Sequence, residues 1–219
     1  MSSYLPTDRT QIRRLKKRAA YDQATVHAIL DEGFVCHLGF AANAQPFVIP
    51  TLYARDGEMI YVHGSGASRM LRNLEEGFDI CLTVTLVDGI VLARSAFHHS
   101  LNYRSVVVLG KARLVAERSE MLRALHLLTN HVVPHRWEEV RVPSELELKQ
   151  THVLAIPLNE VSAKVRSGPP LDDEEDYTLP VWAGVIPTRM RMGKPQPDAR
   201  LMANAPALDL TRFGNSARE

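Results

Sequence analysis

Short β-type apolar runs, separated by turns rather than by long helices, most constrain what this chain can fold into. Six or seven such runs follow one another between residues 34 and 166. Asp56-Gly57 and Asp88-Gly89 are typical of tight hairpin turns, since glycine accepts the positive φ that these turns require. No Gly-x-Gly-x-x-Gly follows a strand, which disfavours a dinucleotide-binding parallel sheet. The pattern predicts a mainly β protein, a closed or nearly closed antiparallel barrel with short helices.

Helical periodicity is confined to a few short stretches. Asp22 is a favourable N-cap, and Gly33 closes the apolar stripe that follows it. Helices are predicted over residues 23–32, 68–76 and 121–133, with a capping box at Ser144-Glu145-Leu146-Glu147.

Composition divides the chain into a basic N-terminal segment (residues 1–17), a barrel (residues 18–167) and an extended, proline-rich tail (residues 168–219). The basic run Arg13–Arg18 predicts a solvated segment rather than a nucleic-acid site, and the formal net charge of the whole chain is only +1. The tail carries the acidic run Asp172–Asp176. Its apolar patch Val181–Ile186 is expected to dock, and fraying is expected beyond Gly193.

The cysteines and the apolar runs bear on the cellular location. Cys36 and Cys81 lack the spacing of a metal knuckle or a redox pair, so they are interpreted as buried free thiols. No apolar stretch approaches the roughly 20 residues of a membrane helix. Residues 1–10 lack the apolar core of a secretory signal. These observations predict a cytoplasmic protein that does not contact a membrane.

The strand–loop–helix unit over residues 60–74 is the strongest local signal for chemistry. A helix N-terminus presents free N–H groups and a positive dipole end to an anion, and the glycines of the loop permit close approach. Ser65 and Ser68 supply hydroxyl donors, and Arg69 supplies a guanidinium that can bind two phosphate oxygens. The unit predicts a phosphate loop; the alternative is a polar turn in which Ser68 only caps a helix.

In order and spacing, several segments together resemble the pyridoxamine 5′-phosphate oxidase-like, FMN-binding split-barrel family. The resemblance is greatest to its flavin-nucleotide-binding and 5-nitroimidazole reductase-like branch, and it covers about residues 18–187. The segments that carry it are residues 47–51, 60–64 with 68–69, 102–110, 163–170 and 180–187. It implies a six-stranded split barrel, a homodimer, and one FMN in each cleft at the subunit interface.

The resemblance also implies site residues. Ser68 and Arg69 match the pair that holds the FMN phosphate, although Met70 replaces a lysine found in the oxidases. The segment Ile49-Pro50-Thr51 matches the strand along the isoalloxazine edge, and Val62 and His63 match the end of the strand under the flavin. Further candidates for lining the cofactor are Arg94, Ser95, Tyr103, Ser105 and Trp182. Trp182 either covers the flavin or anchors the tail.

The histidines leave two questions open. His63 either hydrogen-bonds a backbone carbonyl at the strand end, or acts beside the flavin as a proton donor or substrate anchor. No metal site is predicted, because His98 and His99 are neighbours whose side chains diverge on a strand and no carboxylate lies at fixed spacing. Since some related barrels bind haem through one histidine, His63 or His98 is a candidate axial ligand.

The predicted function is that of an FMN-binding flavoprotein, an NAD(P)H-dependent reductase or oxidase of a small organic substrate. Vitamin B6 oxidation is not expected, because the Arg-x-His-type substrate clamp of the oxidases is absent near the C-terminus. Two alternatives remain at this point. One is a haem-binding or haem-utilisation protein on the same barrel, and the other is a flavin-binding protein without turnover.

Overall fold

The computed structural model describes residues 2–42, 44–65 and 79–217, the last range without the side chains of residues 214–217. Within these ranges the chain forms ten strands and three α-helices. The strands are β1 (Ala19–Ala20), β2 (Val35–Ala42), β3 (Gln45–Asp56), β4 (Met59–Ser65), β5 (Asp79–Leu92), β6 (Ser100–Lys111), β7 (Arg113–Leu114), β8 (Thr151–Pro157), β9 (Glu160–Arg166) and β10 (Gly184–Pro187). The helices are α1 (Gln23–Glu32), α2 (Arg118–Val132) and α3 (Glu145–Gln150). The predicted helix over residues 68–76 lies outside the described residues.

Every strand pairing in the described part of the chain is antiparallel, in the order β1-β9-β6-β5-β2-β3-β4-β8-β7, with β10 added along β5. Strand β3 belongs to two ladders. Its residues 45–52 pair with β2, and its residues 53–56 pair with β4. The apolar faces of both ladders enclose one core that contains Tyr53, Val62 and Leu154. The predicted fold class, a mainly β antiparallel split barrel with few helices, is confirmed.

Helix α1 packs its buried face on this core, and it spans the residues that the sequence predicts. The Asp22 carboxylate accepts a hydrogen bond from the Thr25 N–H at 2.8 Å, and Ile29 and Leu30 are fully buried. Gly33 ends the helix where a Cβ atom would lie 2.9 Å from the Tyr53 hydroxyl. The capping box of α3 is also present, with the Ser144 side chain accepting from the Glu147 N–H.

The two Asp-Gly pairs behave differently. Gly57 has a φ of 55° in the turn between β3 and β4, so the first hairpin prediction is confirmed. The second is wrong: β5 runs without a turn through Asp88-Gly89 and contains a β-bulge there. Asp88 is the extra residue, and its carboxylate accepts two hydrogen bonds from Arg104 at 2.7 and 2.9 Å. The Asp-Gly pair therefore forms a β-bulge here, and the local sequence alone does not distinguish this bulge from a hairpin turn.

The tail returns to the barrel. Its residues 184–187 form β10 and pair with residues 89–92 of β5, whereas the side chains of residues 189–200 are exposed. A Cβ atom on Gly89 would lie 2.9 Å from Val185 Cγ1 and 3.1 Å from the Ile186 carbonyl oxygen. None of the described α-helices has the length and apolar character to span a membrane.

We predict that Gly89→Ala separates β10 from β5, because the added methyl group has no space beneath the backbone of β10. The free energy of unfolding should fall by about 1–3 kcal/mol, the usual cost of overpacking. Limited proteolysis should cut residues 180–190 faster. Gly110→Ala is the matched control, since its Cβ atom meets nothing within 4 Å. Equal stability and equal cleavage in both variants would contradict the prediction.

Candidate functional site

His63 lies near the end of β4, opposite Val153 of β8. Strand alternation separates it from Val62, whose side chain is fully buried in the core and faces away from it. Among the described residues the His63 Nδ1 atom is buried without a hydrogen-bond partner. Burial lowers the pKa of His63, so the ring is neutral at neutral pH. A neutral imidazole can accept a proton or ligate a metal.

An open cavity of about 440 Å³ lies against this histidine. Its lining residues are His63, Leu125, Arg141, Pro143, Glu147 and Thr151. The Arg141 guanidinium donates to both carboxylate oxygens of Glu147, at 2.6 and 2.7 Å, and this contact is the main reason that the pKa of Glu147 is lowered. The cavity therefore combines a neutral ring, an apolar wall and a charged rim, a composition suited to a small organic ligand.

The predicted flavin-edge residues stand where β3 leaves one ladder for the other. Ile49 and Thr51 are half-buried, and Pro50 is exposed opposite His37 of β2. The pairing of Tyr53 with Val62 is the last one between β3 and β4 at this end. Beyond this pair β3 continues along β2 and β4 continues along β8, so the backbones of the two strands diverge and leave a gap between them.

The other candidates lie apart from this gap. Tyr103 and Ser105 are on β6, which is three strands from β3 in the order β3-β2-β5-β6. They pair with Arg166 and Lys164 of β9, and the Ser105 hydroxyl donates to the Lys164 carbonyl at 3.4 Å. Neither residue lines the cavity at His63.

Arg94 and Ser95 contact the tail. The Asp172 carboxylate accepts hydrogen bonds from the Arg94 N–H at 2.9 Å, from Arg94 Nη1 at 3.0 Å and from the Ser95 N–H at 3.4 Å. The ring of Tyr177 lies 4.8 Å from the Arg94 guanidinium carbon. Burial alone would raise the pKa of Asp172, but the hydrogen bonds and charge of Arg94 outweigh it and the pKa is lowered. Sequence reasoning missed this contact.

Ser68 and Arg69, the predicted phosphate-binding pair, lie outside the described residues. Trp182 is 64% exposed, and its ring packs on Gly184 at the start of β10. The ring therefore lies at the edge of β5, on the tail.

His98 and His99 have different partners, although they do not lie on a strand as the sequence predicts: His98 ends a short 3₁₀-helix, and His99 follows it. His99 Nδ1 lies 2.9 Å from the Ser95 carbonyl oxygen, whereas His98 Nε2 lies 3.2 Å from Asp173 Oδ2. With Asp176, the ligand atoms of His98 and Asp173 all lie within 4.8 Å of one another. The tail thus supplies carboxylates that no local spacing indicated.

A family model described as pyridoxamine 5′-phosphate oxidase matches residues 22–165, which is most of the barrel. The chain belongs to this flavin-binding split-barrel family. The resemblance inferred from the sequence is confirmed. No curated protein matches the chain.

Solved structures of the family extend the match into the tail. The flavocytochrome Anf3 of Azotobacter vinelandii is 44% identical, with 94% of this chain and 96% of that chain covered and a TM-score of 0.89. An FAD- and haem-binding protein of Mycobacterium smegmatis is 30% identical, with coverage of 90% and 96% and a TM-score of 0.85. A candidate 5-nitroimidazole antibiotic resistance protein of Bacteroides thetaiotaomicron shares the fold, at 19% identity, coverage of 67% and 86%, and a TM-score of 0.57.

We predict that Asp172→Asn in this split-barrel protein loosens the tail, because the amide cannot compensate the Arg94 charge. Cleavage of residues 173–183 by a protease should accelerate and the unfolding midpoint should fall. Asp173→Asn is the control, since that carboxylate is 72% exposed.

The same contact has a defined pH dependence. The pKa of Asp172 is lower in the folded chain than in the unfolded chain, so its stabilisation is fully present above the unfolded value. It is lost as the pH falls through the folded value. A difference between parent and Asp172→Asn that persists unchanged at low pH would contradict the assignment.

Proposed function

We propose that this chain is a redox protein that binds both a flavin and a haem. Support comes from the family and from two relatives that cover almost all of this chain, one named a flavocytochrome and the other an FAD- and haem-binding protein. This favours the haem-binding alternative over a reductase with flavin alone. It also favours FAD, the flavin named for the Mycobacterium smegmatis protein, over the FMN expected from the sequence.

The environment of His63 is the single observation in this chain on which the haem assignment rests. A histidine that would hold haem iron needs a neutral imidazole with a free nitrogen; burial lowers the pKa of His63, and its Nδ1 atom is buried without a partner among the described residues. Its cavity of about 440 Å³ lies within the usual range for small-molecule sites. Leu125 and Pro143 give it apolar walls, and the paired Arg141 and Glu147 form its charged rim.

His98 fits the role of axial ligand less well. Its Nε2 atom faces the Asp173 carboxylate at 3.2 Å, in a cluster that also includes Asp176. Because this nitrogen already contacts a carboxylate oxygen, it is not free to bind iron. Of these two candidate ligands, His63 is therefore the better fit for haem.

The flavin is assigned to the gap between β3 and β4. Ile49, Pro50 and Thr51 would position the isoalloxazine edge, and Ser68 and Arg69 would hold a phosphate. When both groups are bound, the flavin exchanges one or two electrons and the haem iron exchanges one, so that a two-electron donor can be connected to a one-electron acceptor. The expected donor is NAD(P)H.

A homodimer is part of the proposal. The outward face of the sheet carries exposed apolar side chains, among them Val48 on β3, Val87 on β5 and Leu101 on β6. A second copy on this face would cover them and would bring Tyr103 and Ser105 of one subunit towards the gap of the other. Size-exclusion chromatography with light scattering measures this state directly.

The spectrum of the purified protein tests the proposed function. We predict flavin bands together with a Soret band, and mass identification of released FAD and haem. His63→Ala should lose the Soret band and keep the flavin and an unchanged circular dichroism spectrum. His98→Ala is the control and should keep both.

Other outcomes are equally informative. A Soret band that survives His63→Ala and disappears in His98→Ala would move the ligand to His98. A yellow protein without a Soret band, bleached by NADPH, would restore the reductase with flavin alone. A colourless protein that ignores added FAD and FMN would overturn the flavin assignment too.

A further inference from the structure

A basic groove lies on the side of the barrel formed by β1 and β9, and it shares no residue with the His63 cavity. The pairing of Ala19 with Lys164 places the end of the basic N-terminal run beside the end of β9. The groove has a volume of about 240 Å³. Its lining residues are Lys17, Arg18, Val165, Arg166, Ser167, Pro169 and Leu171. Three of these side chains carry a positive charge, and none carries a negative one.

Arg166 is the unusual member of this groove. It is only 7% exposed, and its partners are neutral oxygens: the side-chain oxygen of Asn102, the Gly168 carbonyl at 3.4 Å and the Pro169 carbonyl at 3.2 Å. Its Nε atom is buried and has no partner within the described ranges. Burial, and then the charge of Arg18, lowers the pKa of Arg166.

Other arginines with an unpartnered nitrogen in this chain are compensated by carboxylates. Arg94 Nε lacks a partner, but the same guanidinium pairs with Asp172 at 3.0 Å. Arg212 Nη1 lacks one as well, and that guanidinium pairs with Glu139. Among residues 2–42, 44–65 and 79–217, Arg166 has no ion pair. A buried charge without a counter-charge is strongly unfavourable, so this groove is built for an anion.

We propose that the groove between β1 and β9 binds a phosphate group through Arg166, Arg18 and Lys17. The planar guanidinium fork matches two oxygens of a tetrahedral phosphate, and Arg166 is already oriented by its neutral partners. A volume of about 240 Å³ accommodates a phosphate or pyrophosphate, or one end of a longer ligand. The basic run that the sequence analysis interpreted as solvated thereby contributes two of the three charges.

Phosphate chemistry can come from two sources: free inorganic phosphate or pyrophosphate, or the phosphate of a nucleotide. The site is independent of the predicted phosphate loop at Ser68 and Arg69. It also does not depend on haem binding at His63. The spectra of the bound cofactors therefore report on the proposed function, and anion binding reports on this groove.

Calorimetric titration of the purified holoprotein with inorganic pyrophosphate tests the site. We expect saturable binding, weakened at least about tenfold by Arg18→Ala, the scale of one charge-assisted hydrogen bond. Arg14→Ala is the matched control: it removes an exposed charge from the same basic run, outside the groove, and should change the affinity less than about twofold. Arg166→Lys keeps a charge but loses the fork, and should weaken binding as well.

Competition identifies the source. NADPH that displaces pyrophosphate better than NADH would assign the groove to a nucleotide phosphate, whereas no displacement by either would assign it to the free anion. Absence of saturable binding would overturn the proposal. Equal weakening by Arg18→Ala and Arg14→Ala would show non-specific charge attraction instead of a site and would contradict the proposal. Equally tight binding of succinate would contradict the phosphate assignment.

Discussion

Strand β3 takes part in two hydrogen-bonded ladders, and the rest of the structure depends on this exchange of partners. Its first eight residues pair with β2 and its last four with β4, so the sheet must bend between Leu52 and Tyr53. Tyr53 secures the bend: the ring is fully buried, and the hydroxyl donates to the Leu30 carbonyl of α1 at 2.7 Å. Burial raises the pKa of Tyr53, which keeps the hydroxyl protonated as a donor. The bend closes the barrel and, on its other side, opens the gap beside His63.

Both ends of the chain are fastened to this barrel by polar contacts from distant residues. Near the N-terminus, Tyr4 is buried and its hydroxyl donates to Glu58 at 2.6 Å, in the turn between β3 and β4. In the tail, Asp172 binds Arg94 and Ser95 just beyond β5, and β10 adds a strand along β5. Similarity to the two relatives of 44% and 30% identity covers nine-tenths or more of the chain, and so it includes these attached segments as well as the barrel.

Local sequence predicted the features that local physics decides. Asp22, Gly33 and the capping box at Ser144 each act within a few residues, and the structure has all of them. The hairpin prediction at Asp88-Gly89 was wrong because the conformation there is set by Arg104 and by β10, neither of which is a neighbour in sequence. The site was predictable to the level of the family, through the order of its segments. The interactions of Arg94 and Arg166 were not predictable. The carboxylate that binds Arg94 lies 78 residues away along the chain, and Arg166 has no carboxylate partner among the described residues.

Among the described residues, His63 and Arg166 have an unpaired buried nitrogen and no ion pair, whereas Arg94 and Arg212 have such a nitrogen but also bind a carboxylate. Most buried polar groups in proteins are satisfied, and here Tyr53 and Asp172 conform to that rule. His63 and Arg166 depart from it in ways that match opposite chemistries. Desolvation makes the His63 ring neutral, which suits a bond to a cation such as iron. Arg166 stays charged despite its burial, because a guanidinium does not lose its proton at neutral pH, and so it requires an anion. The two cavities share no lining residue, so a cation bound at one would not exclude an anion bound at the other.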